Sequence, residues 1–228
     1  RHRGYIVAVV VTTTGEDPYA IHRITQIIED LGLKKFVFKS DQEPAIISLK
    51  RVAARTLQDV EMVPEESPVG EHESNGDIEN AIQRVQGKFR TLRDAMESRY
   101  NKKLPEDHWT IPWLVKHAAN IMNRYQVKKN GRTAYEMVKG RKFRREVAEF
   151  GECIMYIVSD SVGKDKLNSR WDDGIFVGIR ERSGEILNGT QKGVVKARAF
   201  RRKGTESERW NNDELEKCTG LPWEPVPG

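Results

Sequence analysis

Three short apolar runs, at Tyr5 to Val11, Phe36 to Phe38 and Val60 to Val63, alternate with two segments whose apolar residues recur every three or four positions. Strand periodicity interleaved with helical periodicity is the pattern of an α/β layer with crossover connections. The first helical segment opens with Asp17-Pro18, an N-cap followed by proline at the first helical position. It carries Ile21, Ile24, Ile27, Ile28 and Leu31 and stops at Gly32. The second follows Glu43-Pro44 and places Leu49, Val52, Ala53 and Leu57 on its apolar side.

Residues 64 to 76 have loop composition, and the longest helix is expected from about Asp77 to Tyr100. Its stripe of Ile78, Ile82, Val85, Phe89, Leu92 and Met96 reads as core. A further helix is expected from Thr110 to Tyr125. A short one follows, with Thr133 and Glu136 as its capping box and an end near Gly140. Beyond Phe150-Gly151 the period changes. Cys153 to Val158, Gly174 to Ile179, Glu185 to Leu187 and Val194 to Phe200 read as short strands between Gly and Asp turns, suggesting a small β-barrel. The expected organisation is therefore an α/β core over 1–149, a β-rich domain over 150–203 and a flexible tail over 204–228. The chain opens on Arg1-His2-Arg3 without an initiating Met, and it reads as a piece of something longer.

Charge narrows the partners. Asp59 to Glu79 holds eight acidic residues and no Lys or Arg, Arg124 to Arg145 holds nine basic and one acidic, and Lys192 to Lys203 holds six basic and none acidic. An acidic pocket beside basic surfaces suits a metal-dependent enzyme acting on a polyanion, although each run by itself also fits an ordinary solvated face. No apolar stretch approaches the roughly 18 to 20 residues that span a bilayer, so no membrane partner is expected. Two cysteines, Cys153 and Cys218, make neither a disulfide framework nor a zinc site, and a nuclear or cytoplasmic home follows. The histidines lack metal-ligand spacing, and Trp109 and Trp113 read as core or subunit-contact residues rather than base-stacking platforms.

Two carboxylates stand out. Asp41 follows a buried strand, where α/β sheets place ligand-binding groups, and Glu79 lies in the first turn of the long helix. Each position also has a structural use, as a turn former or as a complement to the helix dipole. Carboxylates without His or Cys suit hard cations such as Mg²⁺ or Mn²⁺. Gln83, Gln86 and Arg90 fall four, seven and eleven residues after Glu79 on the same helical face, with Arg84 and Lys88 close by, a face that fits tracking along DNA and equally an ordinary solvated helix surface.

The run Lys39-Ser40-Asp41-Gln42-Glu43-Pro44 resembles the second catalytic aspartate motif of retroviral and copia-type integrases. Ser74-Asn75-Gly76-Asp77-Ile78-Glu79-Asn80 resembles their catalytic glutamate motif, at similar spacing. Thr133-Ala134-Tyr135-Glu136 with Gly140-Arg141-Lys142 looks like the segment after the core in copia-type elements. Phe150-Gly151, Trp171 and Gly174-Ile175-Phe176-Val177-Gly178 look like their next β-rich module. The resemblance covers roughly residues 5 to 203. It implies a ribonuclease-H-like core, incomplete at its N-terminus, and a polynucleotidyl transferase that joins DNA ends to target DNA with two divalent metals. Asp41 would bridge the metals and Glu79 would hold one. The sequence departs from the family in having Gln42-Glu43 where many members carry Asn-Gly, and the family's first aspartate, expected upstream of Tyr5, is not in this chain. The piece is expected to be inactive alone even if the full protein is an enzyme.

DNA and a second copy of the chain are the expected partners. Lys128, Lys129, Arg141, Lys142, Arg201 and Arg202 join the helical face as expected DNA contacts. The rival reading is a non-catalytic nucleic-acid-binding or assembly module from a decayed or repurposed element. Binding through the basic runs should be dominated by phosphates. With about six phosphates neutralised, log K should fall against log salt with a slope of roughly −5, measured by fluorescence anisotropy on a DNA oligonucleotide. A salt-insensitive affinity would contradict it.

Overall fold

The structure, a computed structural model, describes residues 4–40, 42–66, 76–158 and 170–228. The chain divides into two compact units, residues 9–84 and residues 1–8 together with 85–228, so the change of period near residue 150 falls inside the larger unit.

The smaller unit begins with α1 (Pro18–Asp30). Asp17 caps it: one carboxylate oxygen accepts from the Ala20 amide at 2.9 Å, and the other accepts from the Thr12 hydroxyl at 2.7 Å. The Thr12 hydroxyl, then the Ala20 amide, hold this buried carboxyl below its ordinary range against the opposing effect of burial. Strand β1 (Lys35–Ser40) pairs in parallel with β2 (Glu61–Glu66), from Lys35 opposite Glu61 to Ser40 opposite Glu66, and α2 (Pro44–Thr56) makes the crossover. Parallel neighbours require such a crossover. β2 runs three residues beyond its expected end and takes in Pro64, which a strand tolerates where its N–H faces no partner. One face of the pair places Phe36 and Phe38 in partial burial, while Val37 and Val63, opposite one another, are exposed.

Helix α3 (Gly76–Tyr100) starts in the smaller unit and continues into the larger. Its expected core stripe begins later than the sequence suggests. Ile78 and Ile82 are 58% and 49% exposed, whereas Val85 and Met96 are buried. A stripe is buried only where another element faces it, and periodicity cannot say where that partner begins.

In the larger unit α4 (Thr110–Tyr125) and α5 (Ala134–Lys139) match expectation. Both reciprocal bonds of the Thr133–Glu136 capping box are present, and Gly140 supplies a left-handed C-cap. The expected strand over Tyr5 to Val11 is not formed as a strand. Instead the Asn123 amide clasps the backbone of Ile6, accepting from its N–H at 2.9 Å and donating to its carbonyl at 2.6 Å. A β-branched run signals extended backbone, and here a side chain rather than a second strand satisfies it.

Five antiparallel strands follow: β3 (Cys153–Ile157), β4 (Trp171–Ile179), β5 (Ile186–Thr190), β6 (Gly193–Ala197) and β7 (Phe200–Arg202). Their order is β6-β5-β4-β3-β7. The single strand expected over Val194 to Phe200 is thus two, at opposite edges of the sheet. Only Arg198 and Ala199 separate them, and three residue steps reach at most about 11 Å. The sheet must therefore curl until its edges approach at this corner. No ladder joins β6 to β7 among the described residues, so the expected barrel is an open, curled sheet.

Both faces of this sheet are covered. Ile175, Val177 and Leu187 join Met96, Trp113, Leu114, Trp210 and Leu215, while Ile154, Phe176, Ile186 and Ala197 join Ala148 on the other side. The expected flexible tail supplies part of the first cluster. It folds as α6 (Glu206–Arg209) and α7 (Asn212–Lys217), and Leu215 is fully buried. The indoles of Trp109 and Trp113 donate to the carbonyls of Leu215 and Gly220, at 3.2 and 2.8 Å. Gly193, at φ +116°, lets Pro225 approach so closely that an added Cβ would lie 2.3 Å from its carbonyl oxygen. Sparse, polar composition hid this packing, because a few anchors suffice to hold a short segment.

The tail should accordingly behave as core. Leu215→Ala is expected to cost about 2–5 kcal/mol of stability in urea denaturation. A loss below about 1 kcal/mol would show that this segment does not pack as described.

Candidate nucleic-acid interface

In the smaller unit β1 ends at Ser40, so the backbone carries the aspartate motif to the carboxyl end of the parallel pair. Asp41 itself lies outside the described residues, as do Ser74 and Asn75 of the glutamate motif. The expected convergence of Asp41 and Glu79 therefore lies outside them too. Glu79 is exposed in the first turn of α3, beside Asp77. Among the described residues no group of three or more His, Cys, Asp or Glu side chains is placed to hold a metal ion. Of the two expected metal ligands only Glu79 lies among the described residues, and no catalytic step is built from it.

The strand end carries a residue that periodicity did not single out. Lys50, on α2, is buried, and its ammonium donates to the Ser40 hydroxyl and to the Glu65 carbonyl, both at 3.1 Å. It also lies 5.6 Å from the centre of the Phe38 ring. A buried ammonium needs such partners. Here it ties the ends of β1 and β2 together immediately before position 41. Within a helix a lysine reads as solvent-facing, so only its neighbours reveal the role.

On α3, Gln83, Arg84, Gln86 and Arg90 are exposed and Lys88 is half-buried, so the polar face expected from their spacing is accessible. The candidates in the larger unit separate into engaged and open groups. Lys128 donates to the Gly4 carbonyl at 2.8 Å. Arg201 lies over the Trp171 ring at 4.6 Å. Arg202 donates to the Val147 carbonyl at 3.1 Å and sits 3.6 Å from Glu152 and 3.7 Å from Glu146. Lys129, Arg141 and Lys142 are exposed.

Arg141 and Lys142 begin the run Arg141-Lys142-Phe143-Arg144-Arg145, which has no regular secondary structure. Arg145 fixes it. Its guanidinium donates to the carbonyls of Gly184, in the β4–β5 turn, and Arg198, in the β6–β7 corner. Phe143 is held edge-on between Tyr125 and Tyr135, with ring centres 5.8 and 5.5 Å away. The buried Arg124 packs on it at 4.7 Å. Burial, the larger effect, pushes the Arg124 guanidinium below its ordinary range. These contacts leave Arg144 exposed with Arg141 and Lys142 beside a cleft of about 610 Å³. Composition showed the basic run; the ordering of its side chains depends on residues 8 to 53 positions away.

No family model and no curated protein matches the chain. Among solved structures it is similar to a chain in the simian T-cell lymphotropic virus intasome in complex with PP2A regulatory subunit B56 gamma. The two are 17% identical with a TM-score of 0.38, over 82% of this chain and 64% of that one.

Arg202 is expected to act on stability first. Glu152 is buried, and removing its neighbouring guanidinium leaves a carboxylate with less compensation. Since Arg202 is itself about one-third exposed, Arg202→Ala should cost about 1–3 kcal/mol in urea denaturation. Unchanged stability with weakened DNA binding would reverse that assignment.

Proposed function

We propose that this chain is part of a copia-type retrotransposon integrase, a metal-dependent polynucleotidyl transferase that processes DNA ends and joins them to target DNA. The observation that carries the reading is that the described residues of its two motifs fall within one compact unit, at the end of β1 and the start of α3. The aspartate motif follows the carboxyl end of β1, which is paired in parallel with β2, and the glutamate motif opens α3. The carboxyl end of a parallel pair is where α/β layers assemble ligand sites.

In the full protein Asp41, Glu79 and a third carboxylate from upstream would hold Mg²⁺ or Mn²⁺. Such ions polarise a phosphoryl oxygen and activate the attacking one. The chain's own residues have separate tasks. Lys50 secures the strand ends that present position 41, and the exposed face of α3 with Gln83, Gln86 and Arg90 lies along the DNA beside the site. The basic surface of the larger unit neutralises phosphates of the DNA. We further propose a homo-oligomer working in the nucleus or cytoplasm, because joining two DNA ends to one target calls for two active copies.

The test compares this chain, the protein extended upstream through a third carboxylate, and the extended protein with Glu79→Gln, using a labelled DNA end in Mg²⁺ or Mn²⁺. The extended protein should join DNA. Glu79→Gln should lower joining by on the order of a thousandfold, about 4 kcal/mol of transition-state stabilisation, and leave DNA binding in place. Joining that survives Glu79→Gln, or an extended protein that binds DNA but joins none in either metal, would favour a non-catalytic module.

A further inference from the structure

We infer that the cleft beside Phe143 is a binding site for single-stranded nucleic acid, taking a backbone phosphate on Arg141, Lys142 and Arg144 and an unpaired base against Tyr135. The inference rests on the nucleic-acid reading above but not on catalysis. Its first support is charge. The three cations are exposed, they line one cleft, and none is in an ion pair among the described residues, unlike Arg99, Lys102, Lys103 and Arg202. The cleft thus concentrates positive charge, of which, among the described residues, only Lys142 has a carboxylate, Glu136, close enough to act on it without forming an ion pair. Arg124, behind the wall and packed on Phe143 and Tyr135, adds a further cation whose buried Nε has no hydrogen-bond partner.

The second support is rigidity. Arg145 is bonded to two backbone carbonyls from separate turns, so the segment bearing the cations is held at a fixed distance from the Ser183–Gly184 wall. A preorganised site loses less side-chain entropy on binding than a free basic strand. The third is the pairing of charge with aromatic rings. Tyr135 and Phe143 line the same cleft, and its volume of about 610 Å³ accommodates more than a bare phosphate. Cationic grooves with recessed rings suit single strands, whose bases offer a free π-face, whereas a duplex keeps its bases stacked inside. An acidic peptide would use the charge but leave the rings idle.

The experiment uses the intact chain and a fluorescein-labelled oligo-dT of about 16 nucleotides in anisotropy titrations over a range of salt. Arg141→Ala/Lys142→Ala/Arg144→Ala should weaken binding by about tenfold or more and make the salt slope shallower by roughly 0.7, the share of one single-strand phosphate. Tyr135→Leu should weaken single-strand binding at least about fivefold while changing duplex binding little. The charge-matched triple Lys34→Ala/Arg51→Ala/Arg55→Ala, exposed in the smaller unit and outside the basic runs, should cost less than about threefold at the same salt. Circular dichroism melts confirm folding, and Arg141→Lys/Arg144→Lys, which keeps the charge, should lose less than the alanine triple and serves if that triple does not fold.

Equal losses in both alanine triples would overturn the cleft as a site. So would equal affinity for duplex and single strand with no effect of Tyr135→Leu. Poly-glutamate competing as well as unlabelled oligo-dT at equal charge would assign the cleft to acidic peptides instead. If the intact chain binds no nucleic acid, the broader nucleic-acid reading falls with it. If binding is intact but unaffected by the cleft substitutions, only this inference falls.

Discussion

Strand β4 is the member on which the larger unit is built, because Gly174 through Ile179 are all buried and successive side chains enter different cores. Phe176 faces Ile154, Ile186 and Ala197, while Ile175 and Val177 face the helices and the C-terminal segment. An antiparallel sheet usually leaves one face to solvent, and its strands then alternate in polarity. Here the run Gly-Ile-Phe-Val-Gly-Ile has no polar member, and two layers must exist to cover it. The end of α3 is fitted to the same sheet through Gly151. At φ +85° its Cα lies so close to Met96 that an added Cβ would fall 2.8 Å from the methionine's terminal carbon, and the Tyr100 hydroxyl donates to its carbonyl at 2.6 Å. Every basic side chain of the proposed cleft hangs from this framework, through Arg145 and the two turns it grips.

The turn from α3 to α4 shows how charge is managed near that core. Glu97 is buried, which acts to raise its carboxyl, yet Lys103, the Leu104 amide and Arg93 together outweigh burial and hold it below its ordinary range. The three donors lie at 2.6, 3.0 and 2.9 Å. A carboxylate so surrounded stays ionised and fixes the turn. His117 has the opposite environment. Wholly buried against Phe150 and Phe176, it is pushed down to about 3 by burial first and by Arg124 second, and it sits in the fold as a neutral ring.

Local signals were legible in the sequence wherever the structure obeys them locally. Asp17 with Pro18, the Thr133–Glu136 box, Gly140 and the full extent of α4 all follow from neighbours within four residues. What escaped the sequence depends on distant partners. Ile6 is held by Asn123, the β6–β7 break is set by which edge each strand can reach, and the C-terminal segment is fixed by Trp109 and Trp113. At the candidate site, charge and spacing identified Arg141 and Lys142 but did not distinguish them from Arg202, whose guanidinium is engaged within the protein. Lys50 and Arg124 escaped altogether, since a buried cation carries no local sign of its burial.

The clasp on Ile6 and the indole bond to Gly220 have a consequence for the order of assembly. Both reach α4, one across 117 residues and the other across 107. The larger unit is thus discontinuous, its first residues separated from the rest by the whole of the smaller one. As the polypeptide emerges from the ribosome, the smaller unit, whose strands and helices are neighbours in sequence, has its own contacts available early. Its host must wait until the segment around Gly220 is synthesised, with the apolar faces of β4 uncovered meanwhile. Loop closure over such separations makes folding slow, and the interval is when a chain of this design most needs protection from aggregation.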